Sequence, residues 1–479
     1  MRAESVIACL CLSGTLVLSG CSLAPVYQVP PVNLAGDKWD DSLWQPAHPT
    51  DDQSHGNWWL LFNDPVLNAL EDQIDQSSPA LYAALARYDA ASAYVRQLQA
   101  AQGPTLDGAV SLTNNRQSKN RPLRGANQPD VYDADTAGLN AGYLFDIWGQ
   151  VRNQVASGLA GAQASRADME TVRLSLHALL ADNYVSLRSV DEQIRIVGDA
   201  VSTYTLALEL TTRRHDGGVA SGIDVARAQT QLSSVRAETA GLLGQRALYA
   251  HAIASLIGQP PMAFHIPASI GNLVVPAIPQ TLPSELLLRR PDIAAAERRA
   301  AAANAQIGVA RAAYYPNLTL GIGYGVQNTG SAGLFSAPNT FWSLGPAALL
   351  NLFDSGKHDA QLVQARATLE EASAEYRSKV LTAFQQVEDN LALLKYNQQG
   401  ALDQQQALQS AESTMNLALN RYREGAVNYL EVVTAQEAAL TAARRALEIH
   451  TQQLRSSVDL IRAIGGGWRY STMKGNNAN

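Results

Sequence analysis

Apolar residues recur every seven positions over long stretches of the chain. Leu180, Leu187, Ile194, Val201 and Leu208 form one such line, and Val387, Leu394, Ala401, Leu408 and Met415 form another. A strict seven-residue period predicts helices packed as left-handed coiled coils. No proline lies between Pro129 and Pro260 or after Pro346, and both stretches are rich in Ala, Leu, Gln, Glu and Arg, all strong helix formers. Gln150 to Arg214 alone would make a helix of about 95 Å at 1.5 Å per residue, far more than a globular core requires.

Four other segments change period. TLDGAVSLT (105 to 113), TAGLNAGYLFD (136 to 146), LTLGIGYGVQ (318 to 327) and TFWSLGPAALLNLFD (340 to 354) are glycine-rich and alternate, most clearly as Leu318, Leu320, Ile322, Tyr324 and Val326 against Thr319, Gly321, Gly323 and Gly325. About ten residues of period two per segment is the weak signature of a transmembrane β-strand, and soluble hairpins fit these segments equally well. Pro346 suits only an edge or a bulge. Four strands cannot close a barrel and an open edge cannot survive in lipid, so a membrane reading obliges several chains to share one barrel; three copies would supply twelve strands.

The chain also repeats itself. Gly218 and Gly425, Asp224 and Glu431, Gly149 and Gly356, and Ile257-Gly258 and Ile464-Gly465 are all 207 positions apart, while Pro79 and Pro291, and Pro104 and Pro316, are 212 apart. The expected organisation is therefore a signal segment 1–20, an extended arm 21–57, a first repeat 58–260 with β-hairpin 105–146, a linker 261–282, a second repeat 283–467 with β-hairpin 318–354, and a tail 468–479. In each repeat a glycine interrupts the long helix, Gly218 in RRHDGGVASGIDVARAQTQL and Gly425 in RYREGAVNYLEVVTAQEAAL. Glycine permits a reversal there. Beyond the second turn Val433, Leu440, Leu447, Leu454 and Ile461 keep the seven-residue period, whereas Ala226, Ser233, Ala240, Ala247 and Ala254 stand at the equivalent places. Large residues of one half are expected to pack on small ones of the other.

Charge and chemistry narrow the function. A net charge of −7 without a basic stripe excludes nucleic acid as a partner. Arg2 followed by VIACLCLSGTLVL is too short to span a bilayer and reads as a secretory signal ending in LSGC, a lipobox in which Cys21 is lipidated and becomes the first mature residue. Cys9 and Cys11 leave with the signal, so no internal disulfide is available. No HExxH motif occurs, His177, His251 and His450 are isolated on helices, GIGYG lacks the spacing of a nucleotide loop, and methionines are few. An enzyme has no residues to work with. Trp58 and Trp59, near Phe62 and Leu67, read either as a stacking site for a ligand or as a staple for the N-terminal arm.

CSLAPVYQVP (21 to 30), WWLLFNDPVLNAL (58 to 70), RPDIAAAERRAAAANAQIGVARAAYYPNLTL (290 to 320), the LFD before each long helix and the paired glycine turns occur in that order. Together they resemble the outer-membrane factor family typified by TolC and OprM, and within it the lipidated NodT-like branch, from Cys21 to about Trp468. The resemblance implies a mainly α fold with a membrane β part: a homotrimer sharing a twelve-stranded transmembrane β-barrel and a long coiled-coil α-barrel reaching into the periplasm. It implies a passive exit duct in the bacterial outer membrane. A periplasmic adaptor and an inner-membrane pump of the resistance-nodulation-division type would hand it drugs or other small molecules, and no cofactor is implied beyond the lipid on Cys21. A duct for type I protein secretion and a non-spanning coiled-coil scaffold lipoprotein are the alternatives. By the same resemblance the glycine turns are the periplasmic tips, with Asp224 and Tyr422 as members of a latch, Leu430 as an apolar constriction and Glu431 as an acidic position. Val427 stands where the family has arginine and Thr434 where it often has an acid, so the resemblance does not carry an arginine-based lock over to those places.

Overall fold

The computed structural model describes residues 22–31, 55–118, 120, 129–271, 273–276, 290–330 and 332–466; the signal segment, Cys21 and the tail 468–479 lie outside them. The helices are α1 (Pro65–Ser77), α2 (Pro79–Ala100), α3 (Gln150–Asp216), α4 (Gly222–Leu256), α5 (Pro291–Ala312), α6 (Lys357–Arg423) and α7 (Tyr429–Ala463). The strands are β1 (Thr105–Arg116), β2 (Val131–Phe145), β3 (Asn317–Asn328) and β4 (Thr340–Leu349). Helices α3 and α6 are both 67 residues long and α4 and α7 both 35, so the order and lengths of the first half recur in the second. Proline opens α1, α2 and α5, where its missing N–H costs nothing and its fixed φ suits the first turn.

In space the chain divides into two units that cut across this repeat. One gathers the arm 22–31, Tyr88–Ser165 and Ala296–Tyr376; the other gathers residues 55–87, Arg166–Ala295 and the chain from Arg377.

The first unit holds one antiparallel sheet in the order β1-β2-β3-β4. Strands form where the sequence alternates, and Pro346 falls on β4, the last strand of the chain's own sheet, opposite Leu320. The register aligns like with like: Leu139 lies opposite Tyr324, Tyr324 opposite Trp342, and Ile322 opposite both Ala141 and Leu344. One face is thereby apolar, and it is bare to solvent, with Leu106 69 %, Val110 74 % and Trp342 75 % exposed. From Ala137 to Phe145 this apolar face of β2 runs about 27 Å along the strand at 3.4 Å per residue. The other face carries Thr136, Gly138, Asn140, Gly323, Gly325 and Ser343. There Gly138 and Gly325 are paired, and a Cβ on Gly325 would come within 2.7 Å of the Ala137 carbonyl and 2.9 Å of the Phe341 ring, so only glycine fits. The arm lies along α5, with the Asn304 amide donating to the Pro25 carbonyl (2.8 Å) and Arg311 to that of Leu23 (3.1 Å). It ends with the Ser22 hydroxyl 3.0 Å from Asn153, near the start of α3 and the foot of the sheet.

The second unit is cored in part by the seven-residue lines of α3 and α7. Leu180, Leu187, Leu454 and Ile461 are buried together with Trp58, Trp59 and Phe62, so the two tryptophans staple rather than wait for a ligand. Ile194, Val201 and Leu440 pack on a cluster of Val190, Val197, Tyr204, Leu232, Val235 and Leu242. Of the expected line of small residues, Ala254 is fully buried and Ala247 half-buried. Ala226, Ser233 and Ala240 are exposed, and α4 instead turns Ala228, Leu232, Val235 and Leu242 inward. The offset alignment compares residues by sequence, whereas rotation of α4 about its axis decides which line faces its own neighbours.

Two ionic groups fasten this unit. Asp191 accepts from Arg188 (2.9 Å) and Arg246 (2.6 Å), which also donate to the carbonyls of Pro267 and Ile266 and so hold the segment after α4 against α3. His177, stacked on Trp59 at 4.5 Å, bridges the buried Glu71 (2.7 Å) and Asp75 (3.4 Å). Burial raises the Glu71 carboxyl to about 7, only partly offset by the hydrogen bond to His177. For His177 burial acts downward, but hydrogen bonds to Asp75 and Glu71 outweigh it and the net direction is up.

Candidate functional site

The two helix reversals are built alike. Gly218 and Gly425 take φ of +72° and +81°, the left-handed conformation that glycine adopts without strain, and each ends a long helix. Three residues on, Ser221 and Asn428 cap the returning helices, accepting from the N–H groups of Asp224 and Glu431 respectively. In the first tip the cap is reciprocal, because the Asp224 carboxylate accepts from both the backbone N–H (3.3 Å) and the hydroxyl (2.9 Å) of Ser221.

The tips meet at Tyr422, in the last turn of α6, which is buried with Tyr429, Ala207, Ala228 and Val432. The rings of Tyr422 and Tyr429 are 5.4 Å apart. Arg214, in the last turn of α3, lays its guanidinium 4.8 Å above the Tyr422 ring and donates to the carbonyls of Tyr422 (2.6 Å) and Arg423 (3.4 Å). Those carbonyls close α6, where the helix leaves acceptors unused and the dipole favours a cation. Arg214 thus binds the end of the second hairpin from the first through charge-assisted hydrogen bonds and a cation–π contact. Burial, with the neighbouring Tyr422, Tyr204 and Asp224, holds the Tyr429 hydroxyl well above its ordinary pKa.

Within the chain the expected tyrosine to carboxylate bond is not made: the Tyr422 hydroxyl points at Thr211 (3.4 Å), and Asp224 is engaged in its cap. Glu431 pairs with Arg421 at 3.1 Å, both side chains about half exposed. Leu430 is 49 % exposed in the first turn of α7, Val427 packs against the tyrosine cluster, and the Thr434 hydroxyl donates to the Leu430 carbonyl (2.9 Å). Arg214, Tyr429 and Thr211 are additions that the sequence did not single out; the basic end of α3, Arg213-Arg214-His215, was the available signal. Such an assembly holds two helix ends together by contacts that can break without chemistry. Among the described residues no group of His, Cys, Asp and Glu could hold a metal ion, and no helix is long and apolar enough to cross a membrane.

Comparison with known proteins gives one consistent picture. The family model described as outer membrane efflux protein matches residues 70–259 and 282–466. Outer membrane protein OprJ of Pseudomonas aeruginosa is 31 % identical over 457 residues, covering 95 % of this chain and 94 % of its own. Pyoverdine export outer membrane protein OpmQ of the same species is 32 % identical over 460 residues, covering 95 % and 96 %. The crystal structure of the outer membrane protein VceC from Vibrio cholerae superposes with a TM-score of 0.80 at 31 % identity, over 87 % of this chain and all of that one.

Proposed function

Since the chain belongs to the outer membrane efflux protein family, we propose that it is the outer-membrane channel of a tripartite efflux system, through which small molecules leave the cell after an inner-membrane pump and a periplasmic adaptor hand them over. The observation that carries this reading is the sheet: a bare apolar face on one side, a small and polar face on the other, and two open outer strands. Lipid tolerates no open edge, so three copies would close twelve strands into one barrel with the polar face turned to the lumen. The arm supports lipidation at Cys21, since Ser22 stands at the foot of the sheet, where a lipid on the preceding residue would meet the bilayer. Helices α3, α4, α6 and α7 would form the periplasmic tunnel, with the glycine turns at its far end. At rest Arg214 and Tyr422 bind the two hairpins of each copy, while Asp224, Leu430 and Glu431 face the neighbouring copies or the pore. The pump would be of the resistance-nodulation-division type and would select the substrate.

The test is photocrosslinking in living cells from Val219 and Ile223, which are 69 % and 64 % exposed at the first tip. Capture of a periplasmic adaptor is expected at both positions. Capture of none, with the same probes active and the protein in the outer membrane, would refute the efflux assignment.

A further inference from the structure

We propose that β4 of one copy pairs with β1 of the next in one defined register, in which Ala348 lies opposite the partner's Val110, Pro346 opposite the partner's Leu112, and Leu352 opposite the partner's Leu106. The proposal rests on the trimeric reading above and goes beyond it, because a trimer alone does not set how the strands of two chains align.

The register follows from two observed ones. In the first hairpin Thr105 lies opposite Gly142, and in the second Asn317 lies opposite Leu349, so β1 maps onto β3 by 212 positions (317 − 105) and β2 onto β4 by 207 (349 − 142). These are the offsets that the prolines flanking the strands and the glycines of the long helices give independently. The seam between chains joins a β4 to a β1, as the middle of the sheet joins β2 to β3. Phe145 lies opposite Leu318, which maps to Leu352 (145 + 207) against the partner's Leu106 (318 − 212). Ala141 opposite Ile322 maps to Ala348 against the partner's Val110 in the same way.

Exposure agrees with this placement. Leu106, Val110 and Leu112 on β1 are 69 %, 74 % and 66 % exposed, and Leu344 and Leu352, of matching parity along β4 and its continuation, are 62 % and 88 % exposed. Leu352 lies past the end of β4 in the isolated chain; the seam would carry the strand on to it. Parity also fits, since a slip of one residue would turn the apolar set of one strand onto the polar face of the other. A slip of two keeps the faces but parts the paired Cα atoms to about 8 Å, beyond the roughly 7 Å that a disulfide can bridge.

Cysteine pairs read the register directly. The full lipoprotein carrying Ala348→Cys with Val110→Cys is oxidised in outer-membrane vesicles, beside two slipped pairs, Ala348→Cys with Gly108→Cys and Ala348→Cys with Leu112→Cys. The first should give a covalent trimer that survives heating and falls apart on reduction, with coupling at least tenfold above either slipped pair. If light scattering of the detergent-purified protein finds three copies and a slipped pair couples best, or none couples, the register is wrong. If it finds single chains, the trimeric reading itself fails and the seam falls with it.

Discussion

Removing the Arg214 side chain should loosen the tip. The residue donates to two carbonyls at the end of α6, at 2.6 and 3.4 Å, and covers the Tyr422 ring at 4.8 Å. A hydrogen bond from a charged donor contributes about 1.5–3 kcal/mol and a cation–π contact about 0.5–2 kcal/mol. Arg214 is partly exposed and the freed carbonyls can take water, so the low end applies, about 2 kcal/mol per chain or roughly a thirtyfold shift toward separated hairpins. Arg214→Ala should therefore raise the open probability of single channels in planar bilayers by at least tenfold and sensitise cells to a large antibiotic such as vancomycin. Arg214→Lys keeps the charge without the planar fork and should fall between. Wild-type conductance and wild-type susceptibility in Arg214→Ala would refute the latch. So would a lower melting temperature with unchanged gating, because Arg214 would then be only a helix cap.

Tyr422→Phe should change gating little, under about 1 kcal/mol, because its hydroxyl makes a single long contact with Thr211. Asp224→Ala should lower thermal stability by about 0.5–2 kcal/mol through loss of its half of the capping box, measured by thermal unfolding of the detergent-purified protein. Gly325→Ala should cost about 1–3 kcal/mol by the same assay, since its Cβ meets backbone on β2, with Phe341→Ala as a second change that relieves only part of the clash. The His177 group sets a pH dependence. Glu71 and His177 both have raised pKa values in the fold, so each stabilises most below its unfolded pKa and loses that contribution as pH climbs through the folded one. Melting temperature should fall from about pH 5 to pH 8, and the Glu71→Gln and His177→Gln double variant should flatten that slope.

Much of the architecture was legible in the sequence because it repeats with a short period. Leu180 and Leu187 announced buried helix faces, and Leu320, Ile322 and Tyr324 announced one face of a strand, from spacing alone. The glycine turns were legible because a reversal needs a positive φ and little else. The contact between Arg214 and Tyr422 was less so. Arg214 and Arg421 occupy equivalent places in the two halves, yet Arg421 pairs locally with Glu431 while Arg214 reaches across to Tyr422. Which arginine crosses over depends on how the two hairpins lie side by side, and no local pattern encodes that. The exposed small residues Ala226, Ser233 and Ala240 make the same point: period gives the faces of a helix but not the neighbour each face meets.

The claim on which everything else depends is that the sheet crosses the outer membrane. Nitroxide labels on the apolar face, at Leu139, Ile322 and Leu344, and on the polar face, at Asn140, Thr319 and Ser343, can be read in reconstituted bilayers by collision with oxygen and with a water-soluble nickel chelate. The first set should respond to oxygen and be shielded from nickel, and the second should show the reverse, alternating residue by residue along each strand. Equal access of nickel to both sets would place the sheet in water and contradict a transmembrane barrel.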